Sequence, residues 1–322
     1  MDDFRILLLL AFLWPYVRQR MIQSERMNLI RRLELVTRSR VITMIHRQER
    51  VSLFGIPIYR YIDIEDSEQV LRAVRTTPLD VPITMIIHTP GGLVLAAAQI
   101  AMALKAHPAK KTVIVPHYAM SGGTLIALAA DEIIMDPYAV LGPLDPQLSD
   151  PKMGAVPAVS VLRVVRDKGV DKVSDEILIK ADIAEKAIKQ LEELVVELVQ
   201  DKLGREKAEQ LAKTLVYGTW THDYLLTVKK LQELGLPVKT EVPAEVYRLM
   251  ELYPQAQPIR PSVEYIPSPY HPPQLPQRRA TEGWAQWEGV KASWWGRQDL
   301  NLGHEGPSLA VYQASLRPLV TR

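Results

Sequence analysis

Twice between Pro82 and Ala129 the chain passes from a short apolar run, through glycines, into a run of helix formers. The first pass is PITMIIHT over residues 82–89, closed by Pro90-Gly91-Gly92 and followed by LVLAAAQIAMALKAH. The second is the apolar run 112–115, the loop PHYAM, and then SGGTLIALAAD opening at Ser121. A third apolar run, residues 132–135, follows at once. Short apolar runs rich in β-branched residues and bounded by Gly or Pro suit buried strands, and Ala- and Leu-rich stretches suit helices. The alternation predicts an α/β fold with a mostly parallel sheet covered on both faces. In such folds ligands collect at the carboxyl ends of the strands, where both glycine turns fall.

Those turns carry the most specific chemistry in the chain. A glycine pair between strand and helix leaves backbone N–H groups unobstructed by Cβ atoms at the positive end of a helix dipole. Gly91 and Gly92 are therefore candidates to stabilise an oxyanion, and Ser121 sits where a hydroxyl nucleophile can be exposed. The plainer reading of Ser121 is a helix N-cap, and that of the glycines is a tight turn.

Composition narrows the classes. Lys and Arg number 39 against 37 Asp and Glu, so no global charge points to nucleic acid. The chain has no cysteine, which removes disulfides, Cys-ligated zinc and thiol nucleophiles. His88, His117 and His222 lack metal-ligand spacing, so no metal site is expected.

The ends differ from the middle. Residues 4–17, FRILLLLAFLWPYV, are apolar apart from Arg5 but interrupted by Pro15, and fall short of the ~20 residues a spanning helix needs. With Trp14 and Tyr16 suited to an interface and arginines following, they read as an uncleaved membrane-associating segment, the remaining chain facing the cytoplasm. Residues 18–50 continue as a helix-like stretch with a basic face, suited to anionic lipid or simply to water. Residues 254–276 are too rich in proline for helix or central strand, and Trp284, Trp287, Trp294 and Trp295 beyond them follow no period. The expected division is a membrane-associating and basic segment over 1–50, an α/β domain over 51–253, and an extended proline/tryptophan arm over 254–322.

The stretches HTPGGLVLAAAQIAMALKAH, PHYAMSGGTLIALAADEIIMDPYAVLGPLDPQL and GTWTHDYLLTVKKLQELGLPV resemble the serine dehydrogenase proteinase family, of the Clp-protease/crotonase fold, related to the signal peptide peptidase A group. The resemblance runs from about residue 30 to 270. It implies a spiral of β-β-α units, a homo-oligomer, and a serine peptidase acting on peptide or protein without a cofactor. No GxGxxG follows a strand to suggest a dinucleotide. Ser121 would be the nucleophile, with Gly91, Gly92 and the N–H of Gly122 lining the oxyanion hole.

The base is less plain. Clp-type proteases place a histidine about two dozen residues beyond the serine, where this chain reads LGPLDPQL. Signal peptide peptidase A-like enzymes use a downstream lysine, which points to Lys186 in ADIAEKAI, preferred over Lys180 in ILIKAD. His222, beside Asp223, is the rival base, with a loop-bracing role as its plainer reading. Two other classes remain open: a crotonase-like acyl-CoA enzyme using the same oxyanion logic, and a membrane scaffold in which Ser121 is only a cap.

Overall fold

The computed structural model describes residues 2–46, 51–53, 56–58, 60–150 and 153–253. All lie in the first of two units into which the chain divides, residues 1–262. The second unit and the proline/tryptophan arm lie outside the described residues, as do the side chains of residues 2–12, 15, 51–53 and 56–58.

Helix α1 (Asp2–Thr37) leads into strand β1 (Arg40–Ile45), and the short strands β2 (Val51–Leu53) and β3 (Ile56–Ile58) form a hairpin. Then come α2 (Ile64–Arg75), β4 (Ile83–His88), α3 (Val94–Ala106), β5 (Lys111–Val115), β6 (Tyr118–Ala119), α4 (Gly122–Ala129), β7 (Glu132–Met135) and β8 (Val140–Leu141). The hairpin β9 (Gln147–Asp150) and β10 (Gly154–Pro157) precedes α5 (Ala158–Lys168), α6 (Asp175–Leu203) and α7 (Arg205–Val216). Strand β11 (Leu226–Thr227), α8 (Val228–Glu233), β12 (Val238–Lys239) and α9 (Ala244–Glu251) complete the described chain.

The central sheet runs β1-β4-β5-β7-β12, every pair parallel. All six residues of β4 are buried, as a strand covered on both faces must be. Alternation then assigns the faces. Ile83, Met85 and Ile87 of β4 with Val113 and Val115 of β5 meet the layer built from α2 to α8, while Ile86 and Ile114 point the other way, onto α1 and α9. A smaller sheet, β11-β8-β6, stands beyond the ends of the central strands, so that β5, β6 and α4 form one β-β-α unit.

The sheet begins earlier than the expected boundary at residue 51, because β1 pairs with β4 from Arg40 onward. The basic segment is also partly structural. Leu29 and Leu33 of α1 are buried against the sheet, and Arg26 donates to the Leu252 carbonyl from Nε at 2.9 Å with its guanidinium over the Tyr253 ring. Burying each leucine contributes roughly 1.5–3 kcal/mol. Among the described residues no helix is long and apolar enough to cross a membrane.

The element that fixes the site is α4, buried along its whole length between Gly122 and Ala129. Its terminal carbonyls have little access to water, and α6 supplies the donor: Lys202 Nζ lies 2.5 Å from Leu128 O and 2.6 Å from Ala130 O. Burial pushes the Lys202 ammonium down to about 8, Asp131 opposing that shift. The unfolded chain keeps this proton up to about 10.5, so for this group stability rises as pH climbs from 8 to 10.5. Lys202→Met is expected to lose about 1–3 kcal/mol at pH 7 by orphaning both carbonyls. The variant should also lack that rise, so that the wild-type minus variant difference grows between pH 8 and 10.5. Denaturant unfolding across pH checks both.

Candidate active site

The turn after β4 and the turn before α4 face each other. Gly91 O accepts the Ile62 N–H at 2.8 Å, and Ile62 O accepts the Leu93 N–H at 2.8 Å, so the glycine turn runs as a parallel bridge beside the segment that enters α2. The fit leaves no room for a side chain: a Cβ on Gly92 would lie 2.3 Å from Ile62 N and O. This register aims the Gly92 N–H away from Ile62. The Gly91 N–H instead bonds Thr89 Oγ1 at 3.2 Å. Of the two expected donors, the turn therefore frees Gly92 and engages Gly91.

Ser121 follows β6 and immediately precedes α4. It has φ 50° and ψ −116°, a combination L-residues rarely adopt. Such backbone costs of order 1–3 kcal/mol and persists only where its surroundings over-determine it. As the residue preceding the helix, Ser121 makes no side-chain cap hydrogen bond. The N-cap reading therefore loses its physical content, since a cap stabilises by accepting an N–H of the first turn. The Gly122 N–H, in that first turn, has no partner among the described residues, and a Cβ on Gly122 would stand 3.7 Å from Gly92 N and 2.9 Å from Ala97 Cβ. The residues of these two free amides, Gly92 and Gly122, line the same cavity as Ser121.

Both turns open into a cavity of about 220 Å³ lined by Gly92, Ser121, Gly122, Asp145 and His222, with apolar walls that include Val94, Leu125 and Leu191. His222 and Asp145 are brought there by the small sheet. Leu226 pairs with Leu141 in the antiparallel β11-β8 ladder. This ladder brings the turn that carries His222, closed by the Tyr224 N–H on Thr221 O at 2.9 Å, beside the segment that carries Asp145. The Trp220 and Tyr224 rings stack at 4.9 Å across the His222 loop, and the Leu144 N–H donates to Leu215 O at 2.9 Å.

Asp145, only 3% exposed, has both carboxylate oxygens engaged. Oδ1 accepts from His222 Nδ1 at 2.8 Å and Oδ2 from Gln147 Nε2 at 2.6 Å. With Nδ1–H committed to the carboxylate, Nε2 of the neutral ring is left as the acceptor. The Asp145 hydrogen bond raises the His222 pKa above its ordinary 6.5, against the opposing effect of partial burial. Gln147 and Asp145 carry no distinctive sequence motif. The signal that could have found Asp145 is its place two dozen residues beyond Ser121, where Clp-type proteases have a histidine.

The two expected lysines stand elsewhere. Lys186 is 68% exposed at its side chain and pairs with Asp182 one turn earlier on α6 at 2.6 Å. Lys180 pairs with Asp150 and so ties α6 to the β9-β10 hairpin. Neither lines the cavity that holds Ser121. His88 is fully buried among His117 and Tyr118 rings, behind the turns. Among the described residues no cluster of His, Asp and Glu could hold a metal ion.

The model of the ClpP-like SDH-type serine proteinases matches residues 2–280. The uncharacterized protein MJ1495 of Methanocaldococcus jannaschii is 59% identical over 267 residues, 83% of this chain and 89% of that protein. Its compatriot MJ0137 is 59% identical over 255 residues, 79% and 87% respectively. Among solved structures, a ClpP1 mutant from Listeria monocytogenes gives a TM-score of 0.42 at 18% identity, over 66% of this chain and 98% of that one. The 1510-N membrane-bound stomatin-specific protease gives 0.39 at 18% identity, over 59% and 79%. The family match spans most of the sequence and includes both glycine turns, Ser121, Asp145 and His222, and this chain belongs to the ClpP-like SDH-type serine proteinases.

Proposed function

We propose that the protein hydrolyses peptide bonds with Ser121 as nucleophile, His222 as general base and Asp145 as the group that orients and charges-balances the imidazole. The observation that carries this reading is the uncapped, strained Ser121 sharing one cavity with a partly exposed His222 hydrogen-bonded to a buried Asp145. His222 Nε2 would take the Ser121 Oγ proton as Oγ attacks the peptide carbonyl, and the resulting oxyanion would accept from the Gly92 and Gly122 N–H groups. The imidazolium then returns the proton to the leaving amine, and water repeats the sequence on the acyl-enzyme. This order of residues along the chain, serine then aspartate then histidine, replaces the Ser/Lys dyad that the family resemblance suggested. A lysine base must be neutral and close, and Lys186 and Lys180 are each paired to a carboxylate outside the cavity.

The N-terminal segment supports association with a membrane surface as part of this proposal. Leu13, Trp14, Tyr16, Val17 and Met21 are exposed on α1 beside Arg18 and Arg20, a composition suited to the interface of an anionic bilayer. Assembly of several copies belongs to the same proposal, on the exposed Ile179 and Ile183 one turn apart on α6.

Cleavage of an unstructured protein, read by mass spectrometry of the fragments, tests the chemistry. Ser121→Ala and His222→Ala should each lose about 10⁴-fold in kcat while remaining folded, and Lys186→Ala should stay within a few-fold of wild type. Loss on Lys186→Ala with activity kept in His222→Ala would instead restore the lysine base.

Because catalysis needs the neutral imidazole, kcat/KM should rise with pH through a group above 6.5. The stability this pair supplies is present below 6.5 and lost as pH rises through the raised His222 value. Asp145→Asn should lower that value, which an NMR titration of His222 reads directly. Flotation with vesicles tests the membrane contact: Trp14→Glu with Val17→Glu should abolish binding to anionic vesicles and leave cleavage intact.

A further inference from the structure

A second chain of aspartate, histidine and hydroxyl lies behind the glycine turn, and it plays no part in the mechanism above. His46, at the end of β1 and 5% exposed, places Nε2 3.1 Å from Asp66 Oδ2 and Nδ1 3.0 Å from Thr89 Oγ1. Asp66 belongs to α2, where the same Oδ2 also accepts the Asp63 N–H at 3.0 Å and closes a capping box. Thr89 is fully buried. Its hydroxyl therefore cannot meet a substrate, although its surroundings copy those of a triad nucleophile.

What Thr89 does touch is the pair of turns that form the site. Its Oγ1 accepts the Gly91 N–H at 3.2 Å and lies 3.4 Å from Gly91 O. Its carbonyl accepts the Met120 N–H at 3.0 Å, immediately before Ser121, and its own N–H donates to Tyr118 O at 3.2 Å. A Cβ on Gly123 would come 2.7 Å from Thr89 Cγ2, so the methyl also packs against the first turn of α4. One residue thus links the oxyanion turn to the nucleophile turn.

The geometry points to Thr89 and His46 as positioning residues for the oxyanion hole, the Asp66–His46–Thr89 chain fixing the peptide plane of the glycine turn so that the Gly92 N–H faces Ser121. The hydrogen bonds are mutually consistent. With Nε2–H given to Asp66, Nδ1 accepts the Thr89 hydroxyl proton, and the lone pairs of Oγ1 are left for the Gly91 N–H. Remove the hydroxyl and the Gly91 amide is buried without a partner, so the 90–92 segment turns to satisfy it and Gly92 turns with it.

This inference rests on the serine proteinase reading, and the test separates the two. Full-length wild type, Thr89→Val, Thr89→Ser and His46→Leu are compared for peptide cleavage, for inhibition by a peptide aldehyde, and for binding of the uncleaved peptide on a Ser121→Ala background. The hemiacetal oxygen of the aldehyde adduct requires the oxyanion site, whereas the uncleaved peptide depends on it far less. Thr89→Val and His46→Leu should lose about 10- to 100-fold in kcat, below the 10²- to 10³-fold cost of deleting an oxyanion donor outright. Aldehyde affinity should fall in proportion, with peptide binding within about twofold. Thr89→Ser should recover most of the rate, because it restores the hydroxyl.

A fall in peptide binding equal to the fall in kcat, or full activity in folded Thr89→Val, overturns the inference and leaves the proteinase reading standing. Should Thr89→Val not fold, His46→Leu and Thr89→Ser carry the same comparison. A wild-type chain that is folded yet neither cleaves peptide nor binds the aldehyde removes the proteinase reading, and this inference with it.

Discussion

The backbone of Ser121 is the constraint on which the site depends. Held at φ 50° and ψ −116°, it turns the chain sharply from β6 into α4 and leaves the side chain uncommitted to the helix. A conformation that costs of order 1–3 kcal/mol survives because its neighbours permit little else. Met120 is bonded to Thr89 on one side, Gly123 N–H returns to Met120 O at 2.8 Å on the other, and the glycines let α4 lie against Ala97 and Thr89 at distances no side chain would tolerate. The buried α4 is held at its far end by Lys202. Strain at one residue is thus supported by packing and hydrogen bonds along the whole helix.

Around that turn the electrostatics are consistent. The start of α4 and the free amide of Gly92 present partial positive charge to one point, in a cavity whose walls are largely apolar and where such dipoles act with little screening. The His222–Asp145 pair stands across the same cavity, its carboxylate buried and doubly bonded, so the ring is held in one tautomer and one orientation. The separate Asp66–His46–Thr89 chain resembles it in composition but closes on a buried hydroxyl. The difference between the two lies in exposure and not in residue type.

Much of this was legible in the sequence because it is local. Apolar runs alternating with helix formers gave the parallel sheet, and the glycine pair with SGG marked the two turns and Ser121. Non-local register was not legible. That Gly92 and not Gly91 frees its amide follows from pairing with Ile62, roughly thirty residues away, which no spacing rule encodes. The pairing of His222 with Asp145, 77 residues apart, depends on a ladder of two residue pairs too short to leave a hydrophobic pattern. Lysines in an apolar helical context looked like a desolvated base, but periodicity does not tell which face of α6 they occupy. Arg26 likewise read as surface charge, although it bonds the Leu252 carbonyl under the sheet.

The central claim is that the Ser121 hydroxyl, the two free amides and the His222 imidazole converge on one reacting carbon. A crystal structure of the chain after reaction with a peptidyl phosphonate tests it most directly. The account predicts phosphorus bonded to Ser121 Oγ, one phosphonyl oxygen within hydrogen-bond distance of both the Gly92 and Gly122 N–H groups, and His222 Nε2 facing Oγ. Phosphorus on another residue, or an adduct on Ser121 whose oxygen meets neither amide, would contradict it.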